Sequence, residues 1–280
     1  MTTFTTSNSL AIPPFIYGTA WKKEATARLV QAAVAAGFRA IDTANQPVHY
    51  NEPAVGAALR ALSQQGVTRK TLFLQTKFTP VDGHDHRIPY DASADLTTQV
   101  SQSFERSLMH LGTEYVDSYL LHGPYSRRGL GPEDWEVWAA LEGIYQSGRA
   151  KMIGISNVSA GQLAQLCERA AVKPMVVQNR CYAVVGWDHD VRAVCRAQGI
   201  VYEGFSLLTA NQDIVDHPAI VAMAKRLGTG PLPVIFRFAQ QIGILPLTGT
   251  TSEQHMKEDL QVERLELTQD EVKAVERIGV

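Results

Sequence analysis

Strand-like and helix-like segments alternate along this chain, and that alternation constrains its fold more than any other feature. Eight short apolar or β-branched runs recur: FIYGT (15–19), FRAID (38–42), TLFLQT (71–76), YVDSYLL (115–121), AKMIGIS (150–156), PMVVQ (174–178), IVYEGF (200–205) and GILPLT (243–248). Each is bounded by Gly, Pro or polar turn residues, as strands are. Between them lie stretches with helical spacing of apolar residues. In EATARLVQAAVAAG (24–37), Ala27, Val30, Ala33 and Val34 share one side and Gly37 supplies a C-cap. SADLTTQVSQSFERSLMHLG (93–112) predicts a helix N-capped by Ser93 and closed by Gly112. PEDWEVWAALEGIYQSG (132–148), SAGQLAQLCERA (159–170) and WDHDVRAVCRAQG (187–199) repeat the scheme. Strict alternation implies parallel strands joined by crossover helices. Eight such units in 280 residues fit one (β/α)8 barrel domain spanning 1–280. A doubly wound open sheet would announce itself with Gly-x-Gly-x-x-Gly after the first strand, and here that strand runs into GTAWKKE.

Composition narrows the function classes. Hydrophobic residues make up 45% of the chain, enough for a substantial core. The net charge is 26 − 28 = −2, so no basic field favours nucleic acid or an anionic membrane. Three cysteines, Cys167, Cys181 and Cys195, without CxxC spacing argue against a disulfide framework and a zinc site. The start, MTTFTTSNSLAIPP, lacks the basic and apolar regions of a signal peptide. No apolar run is long enough to span a membrane. The expectation is a soluble cytoplasmic protein with no metal, nucleic-acid or membrane partner.

In a (β/α)8 barrel, chemistry sits at the C-terminal ends of the strands. The second run ends on Asp42, the third on Lys77 and the fourth on His122; the fifth ends on Ser156 and Asn157, the sixth on Gln178 and Asn179, the seventh on Phe205 and Ser206, and the eighth on Thr248 to Thr251. Singly these are turn, surface or core residues; together, at that face, an acid, a lysine and a histidine point to a site. A lysine held by an aspartate stays cationic, and beside a tyrosine it lowers the phenol's pKa from about 10 towards neutrality. Such a tyrosine serves as a general acid or base, and a neutral histidine orients a carbonyl oxygen. No side chain supplies hydride, so a nicotinamide is implied. Ser156, Asn157 and Gln178 suit its carboxamide, and Phe205 suits its ring.

With FRAIDTA, HYNE, TK (76–77), DSYLLHGP (117–124), GISN (154–157), VVQN (176–179), FSLL (205–208) and PLTGTTSEQHMKEDL (246–260) in this order, the chain resembles the aldo-keto reductase superfamily over nearly its full length. The resemblance implies a (β/α)8 barrel that uses NADPH, or NADH, without metal, and usually acts as a monomer on a small carbonyl compound. It implies a catalytic tetrad of Asp42, Tyr50, Lys77 and His122, with Tyr50 as general acid. It places cofactor contacts at Thr19, Ala20 and Trp21, at Ser156, Asn157 and Gln178, and at Phe205, Ser206 and Leu207. Thr248, Gly249, Thr250, Thr251, His255 and Asp259 would hold the cofactor's phosphate end.

Three departures stand out. The family's tyrosine usually lies nearer the Asp and is followed by Gly-Asn-Glu. Here Tyr50 lies eight residues after Asp42 with NQPVH ahead of it, and Asn51-Glu52 follow at once. Tyr17, inside the first strand, and Tyr182, after the carboxamide site, are the rival tyrosines. The phosphate segment usually reads Pro-Lys-Ser, then Arg ahead of Asn; here it reads Pro246-Leu247-Thr248, then His255 ahead of Asp259. The usual cations for a 2′-phosphate are absent, and Lys257 is a candidate substitute. Last, the sequence ends at Val280, without the family's longer C-terminal loop, so an open substrate site is expected. Loops 79–92 and 123–135 would shape it. Tyr125, Trp135, Trp138 and Trp187 are candidate walls, though Trp138 and Trp187 read better as helix packing, and Arg127-Arg128 as a solvated loop.

The expected function is NADPH-dependent reduction of an aldehyde or ketone. The alternatives are a cofactor-sensing barrel with little turnover and an NAD-linked alcohol or sugar dehydrogenase. His122 favours carbonyl chemistry, because a Glu takes that place in the family's double-bond reductases.

Overall fold

All eight apolar runs become strands of one closed parallel barrel. The structure is a computed structural model that describes residues 4–278. Residues 1–3 and 279–280, the latter including the chain end singled out above, lie outside the described residues. Two short antiparallel strands come first, β1 (Phe4–Thr5) and β2 (Ala11–Ile12). The barrel follows: β3 (Ile16–Gly18), β4 (Ala40–Asp42), β5 (Phe73–Phe78), β6 (Ser118–Leu121), β7 (Ile153–Ser156), β8 (Val176–Arg180), β9 (Val201–Phe205) and β10 (Ile244–Thr248). Each pairs in parallel with its sequence neighbour, and β10 closes the ring against β3, with Leu247 opposite Ile16.

Successive side chains on a strand face opposite sides, and here the two sides have different compositions. Tyr17, Ile41, Leu74, Phe78, Tyr119, Ile153, Val177 and Tyr202 join the apolar layer between barrel and helices. The other face changes character with height. At the bottom, Ala40, Phe73, Leu120, Val176, Val201 and Leu245 form an apolar plug with Phe4 and Ile12 of the β1–β2 hairpin. The sequence pattern did not foresee that hairpin, since two-residue strands show no periodicity. Two or four residues higher, on the same face of the same strands, stand Asp42, Gln75, Lys77, Gln178 and Glu203, all buried. The barrel's interior thus grades from hydrocarbon to charge towards the C-terminal ends of its strands.

Local sequence sets the helix ends, with two corrections. Asp95, not Ser93, caps the helix Leu96–Leu111, accepting the Thr98 N–H at 2.7 Å. Ser93 instead donates to Asp91 Oδ1 from its amide and its hydroxyl. Asp95 directly precedes the first helical residue, the position from which a side chain reaches the N3 amide, and Ser93 lies two residues too early. Trp187 and Asp188 adopt left-handed backbone (φ 56° and 54°), so the next helix starts at His189. There the Trp187 indole donates to the Val275 carbonyl, a packing role like that of Trp138, which donates to Val172. Among the described residues no single helix is long and apolar enough to cross a membrane, and no group of His, Cys, Asp and Glu could hold a metal ion.

The helix Glu52–Gln64 is drawn tightly onto the helix Leu96–Leu111. A Cβ at Gly56 would come within 1.8 Å of the His110 carbonyl oxygen, whereas a Cβ at Gly143 would meet nothing within 4 Å. Gly56→Ala should therefore cost about 1–3 kcal/mol through overpacking, while Gly143→Ala should be neutral or stabilising. Urea midpoints of the two variants check the contrast.

Candidate active site

Strand register brings Asp42 and Lys77 together. Asp42 ends β4 and lies opposite Gln75 of β5, two residues below Lys77 on the same face. Lys77 Nζ donates to Asp42 Oδ1 at 2.6 Å and to the Thr43 carbonyl at 2.9 Å. The two side chains are only 0% and 3% exposed. Gln75 and Gln178 each donate an amide N–H to the same carboxylate oxygen, at 3.0 and 3.1 Å. Burial alone would lower the ammonium's pKa; Asp42, Tyr50 and Glu203 outweigh it and hold Lys77 above its ordinary value.

The lengthened loop folds inward. The amides of His49 and Tyr50 both donate to the Gln46 carbonyl, closing a tight turn. Four ties anchor it. Asn45 donates to the Ser103 carbonyl (2.9 Å), Gln46 to the Gly83 carbonyl (2.6 Å) and the Trp21 amide to the His49 carbonyl (2.7 Å), and the Asn51 side chain caps the next helix. Tyr50 is thereby held over the ion pair, with Lys77 Nζ 5.2 Å from its ring centroid and the His122 ring 5.9 Å away. Burial raises the phenol's pKa, Lys77 pulls it down, Asp42 pushes it up, and the net shift is upward. The expectation of a phenol drawn towards neutrality is corrected: desolvation wins over the lysine, and Tyr50 carries its proton at neutral pH. His122 is held well below its ordinary pKa by burial and then by Lys77, so it is neutral. Tyr17 is engaged elsewhere, donating to the Thr250 carbonyl at 2.9 Å.

A cavity of about 1360 Å³ opens over Asp42, Tyr50 and His122. Ala20, Trp21, Ser156, Asn157, Gln178, Phe205, Ser206, Leu207, Thr248, Gly249, Thr250, His255 and Asp259 all line it. Thr19 and Thr251 do not. The Thr19 amide and hydroxyl are both committed to the Asp42 carbonyl, and Thr251 faces solvent. Loop 79–92 contributes Thr79, Pro80, Asp82 and Gly83, and loop 123–135 contributes Gly123, Pro124 and Tyr125. Trp135, Trp138, Trp187, Arg127, Arg128 and Lys257 stand outside the lining; Trp135 instead packs under the Arg169 guanidinium at 4.2 Å. Three lining residues, Trp21, Asn157 and Ser206, hold left-handed backbone (φ 64°, 54° and 58°), a strain typical of functional turns.

The donor pattern leaves particular atoms free. Both amide bonds of Gln178 run inward, to Asp42 and Glu203, which leaves Oε1 as its acceptor for the cavity. Asn157 Nδ2 donates to the His122 carbonyl and to Ser156 Oγ, leaving Oδ1 likewise. Lys22, which sequence reasoning missed although it directly follows Trp21, is the one Lys or Arg on the lining among the described residues. Its ammonium contacts the Gly249 carbonyl, and burial lowers its pKa.

A second missed residue is Glu203, fully buried in β9; a charge inside the apolar run IVYEGF was the available signal. Gln75 and Gln178 donate to its Oε2 at 2.6 and 2.8 Å. Among the described residues its Oε1 and the Oε1 of Gln75 are both buried without a partner, so a proton on Glu203 adds the donor this group lacks. Burial raises its pKa to about 7, with Asp42 adding to the rise and the two amides and Lys77 opposing it. The folded protein therefore keeps a proton that the unfolded chain releases at about 4.5. This contribution is present below about pH 4.5 and is lost as pH rises from about 4.5 to about 7. Glu203→Gln keeps an N–H donor there and carries no charge. From pH 5 to pH 8 it should lose less stability than the wild type in urea denaturation; equal losses would contradict this account.

Comparison with known proteins agrees with the barrel and with the family resemblance. The model of the Aldo/keto reductase family matches residues 14–279. The "uncharacterized oxidoreductase YtbE" of Bacillus subtilis is 31% identical over 279 residues, 98% of this chain and 92% of the relative. A glyoxal reductase of Bacillus subtilis is 29% identical over 252 residues, 89% of this chain and 82% of the relative. An aldo/keto reductase from Brucella melitensis superposes with a TM-score of 0.83 at 26% identity, covering 98% of each chain. A structure of an aldo-keto reductase complexed with NADPH shares the fold with a TM-score of 0.85 at 23% identity, over 99% of this chain and 88% of that one. Matched along most of its length, the chain belongs to the aldo/keto reductase family.

Proposed function

We propose that this protein reduces an aldehyde or ketone to the alcohol, with NADPH as hydride donor. The observation that carries this reading is the protonated Tyr50 seated over the Asp42–Lys77 pair and beside a neutral His122 at the barrel mouth. A bound reduced nicotinamide supplies the hydride. The chain's own residues do the rest. Tyr50 gives its proton to the carbonyl oxygen as negative charge develops there, and Lys77 balances the phenolate left behind. Asp42 keeps Lys77 charged and in place. His122, neutral, orients the carbonyl.

The lining suits a dinucleotide. The free oxygens of Gln178 and Asn157 match the N–H2 of a carboxamide, Phe205 offers a ring face, and Lys22 with Thr248 to Thr250 offers polar contacts to phosphate. Lys22 is the only Lys or Arg among the described lining residues, and Glu258 and Asp259 flank His255 at the segment read as the phosphate end. NADPH is our assignment, and NADH can serve the same site. With so little positive charge on the lining, a neutral carbonyl compound suits the cavity better than a carboxylate; a relative named glyoxal reductase supports a small aldehyde. We take the protein to work as a cytoplasmic monomer, in keeping with the free thiols of Cys167, Cys181 and Cys195.

Wild-type protein mixed with NADPH and a nitrobenzaldehyde should consume reduced cofactor; no turnover across a broad carbonyl panel would sink the proposal. Tyr50→Phe should lower the reduction rate by at least about 100-fold while leaving cofactor affinity, read by fluorescence titration, nearly intact. Lys22→Met should weaken NADPH binding roughly tenfold, the scale of one charged contact, with a much smaller effect on the rate at saturating cofactor.

A further inference from the structure

His122 has an ordering partner that the family's tetrad does not include. Its Nδ1 lies 2.7 Å from the Thr79 hydroxyl. Among the described residues no group meets Nε2, which is not among the buried unpartnered atoms, so on an imidazole that lines the cavity it is open to the substrate space. A neutral imidazole carries one N–H, and the hydroxyl carries one proton. Two arrangements are possible. If Nδ1–H donates to Thr79, the Thr79 proton needs another acceptor. Among the described residues that hydroxyl has no partner except His122, and Thr79 is only 3% exposed. That arrangement strands a buried donor and turns a bare lone pair towards a carbonyl oxygen, which repels it. If Thr79 donates to Nδ1, both groups are satisfied and the imidazole proton sits on Nε2.

We propose that the Thr79 hydroxyl donates to His122 Nδ1 and so fixes the tautomer that presents Nε2–H to the substrate carbonyl, making Thr79 a positioning residue of the reaction. This rests on reading His122 as the group that orients the carbonyl. Two loops hold Thr79 still. Tyr90 Oη and His84 Nε2 both donate to its carbonyl, at 2.7 and 3.0 Å. Gly83 packs so close that a Cβ there would come within 2.5 Å of the Thr79 methyl. Gln46, from the lengthened loop before Tyr50, donates to the Gly83 carbonyl. The long polar loop 79–92 thus acts by clamping the residue that orders the histidine, and the same ties connect it to the loop that carries Tyr50.

The test compares wild type with Thr79→Val, which keeps shape and removes the hydroxyl, and with Thr79→Ser, which restores it. The 15N spectrum of His122 in the protein with NADPH bound should show protonated Nε2 and bare Nδ1 in wild type and Ser variant. It should shift towards a tautomer mixture in the Val variant. In parallel, kcat for aldehyde reduction should fall about tenfold or more in Thr79→Val and recover in Thr79→Ser, with NADPH affinity unchanged in both. A wild-type spectrum with the proton on Nδ1, or a Val variant with unchanged spectrum and unchanged kcat, overturns the proposal. A wild type without carbonyl turnover would overturn the reductase reading instead, and the spectrum would still decide the tautomer.

Discussion

The Asp42–Lys77 ion pair is the interaction around which the mouth of the barrel is arranged. Two opposite charges sit out of water, 2.6 Å apart. Desolvating them costs several kcal/mol per ion, which only close contact and further hydrogen bonds can offset. Those bonds come from separate strands: Gln75 from β5, Gln178 from β8 and the Thr43 carbonyl at the end of β4. The pair is therefore a property of the closed barrel, since no fragment of it brings β4, β5 and β8 together. Tyr50 and His122 take their electrostatic character from this pair and from burial, one kept protonated and the other kept neutral.

Below the pair, the interior is graded so that charge is carried on a rigid base. The hairpin and the lower strand residues make an apolar plug. Glu203, Gln75 and Gln178 make a hydrogen-bonded polar layer above it. Holding Gln178 from below leaves its oxygen for the cavity, so the layer orients a group that faces the ligand space. Above the pair the scaffold changes from strands to loops. Loops 43–51 and 79–92 are tied to each other through Gln46 and Gly83 and converge on Tyr50 and Thr79.

Much of this was legible from residues alone. Short apolar or β-branched runs bounded by turn residues marked all eight barrel strands, because parallel strands buried on both faces read as nearly continuous apolar segments. Asp42, Lys77 and His122 stood out only together, because the fold collects an acid, a lysine and a histidine from three consecutive strand ends at one face. Helix ends were legible where a cap residue was unambiguous, as at Gly37 and Gly112, and misplaced where two candidates stood close together, as at Ser93 and Asp95. Lys22, Thr79 and Glu203 were passed over. Lys22 and Thr79 are ordinary in their local context and acquire meaning only from Gly249 and His122, far away in sequence, whereas Glu203 did carry a local signal as a charge inside an apolar run.

The sequence by itself determined the barrel and which side chains stand at its mouth, because alternating periodicity and strand-end polarity are local patterns that few folds accommodate, and the order of its motifs carried the family resemblance. Only the tertiary structure decided that the NQPVH spacer turns Tyr50 inward, since that depends on hydrogen bonds from Asn45, Gln46 and Trp21 to distant backbone. It alone decided the proton states. Whether Tyr50 lies above or below its ordinary pKa is a competition between desolvation and a neighbouring charge, and both terms exist only once the barrel has closed around them.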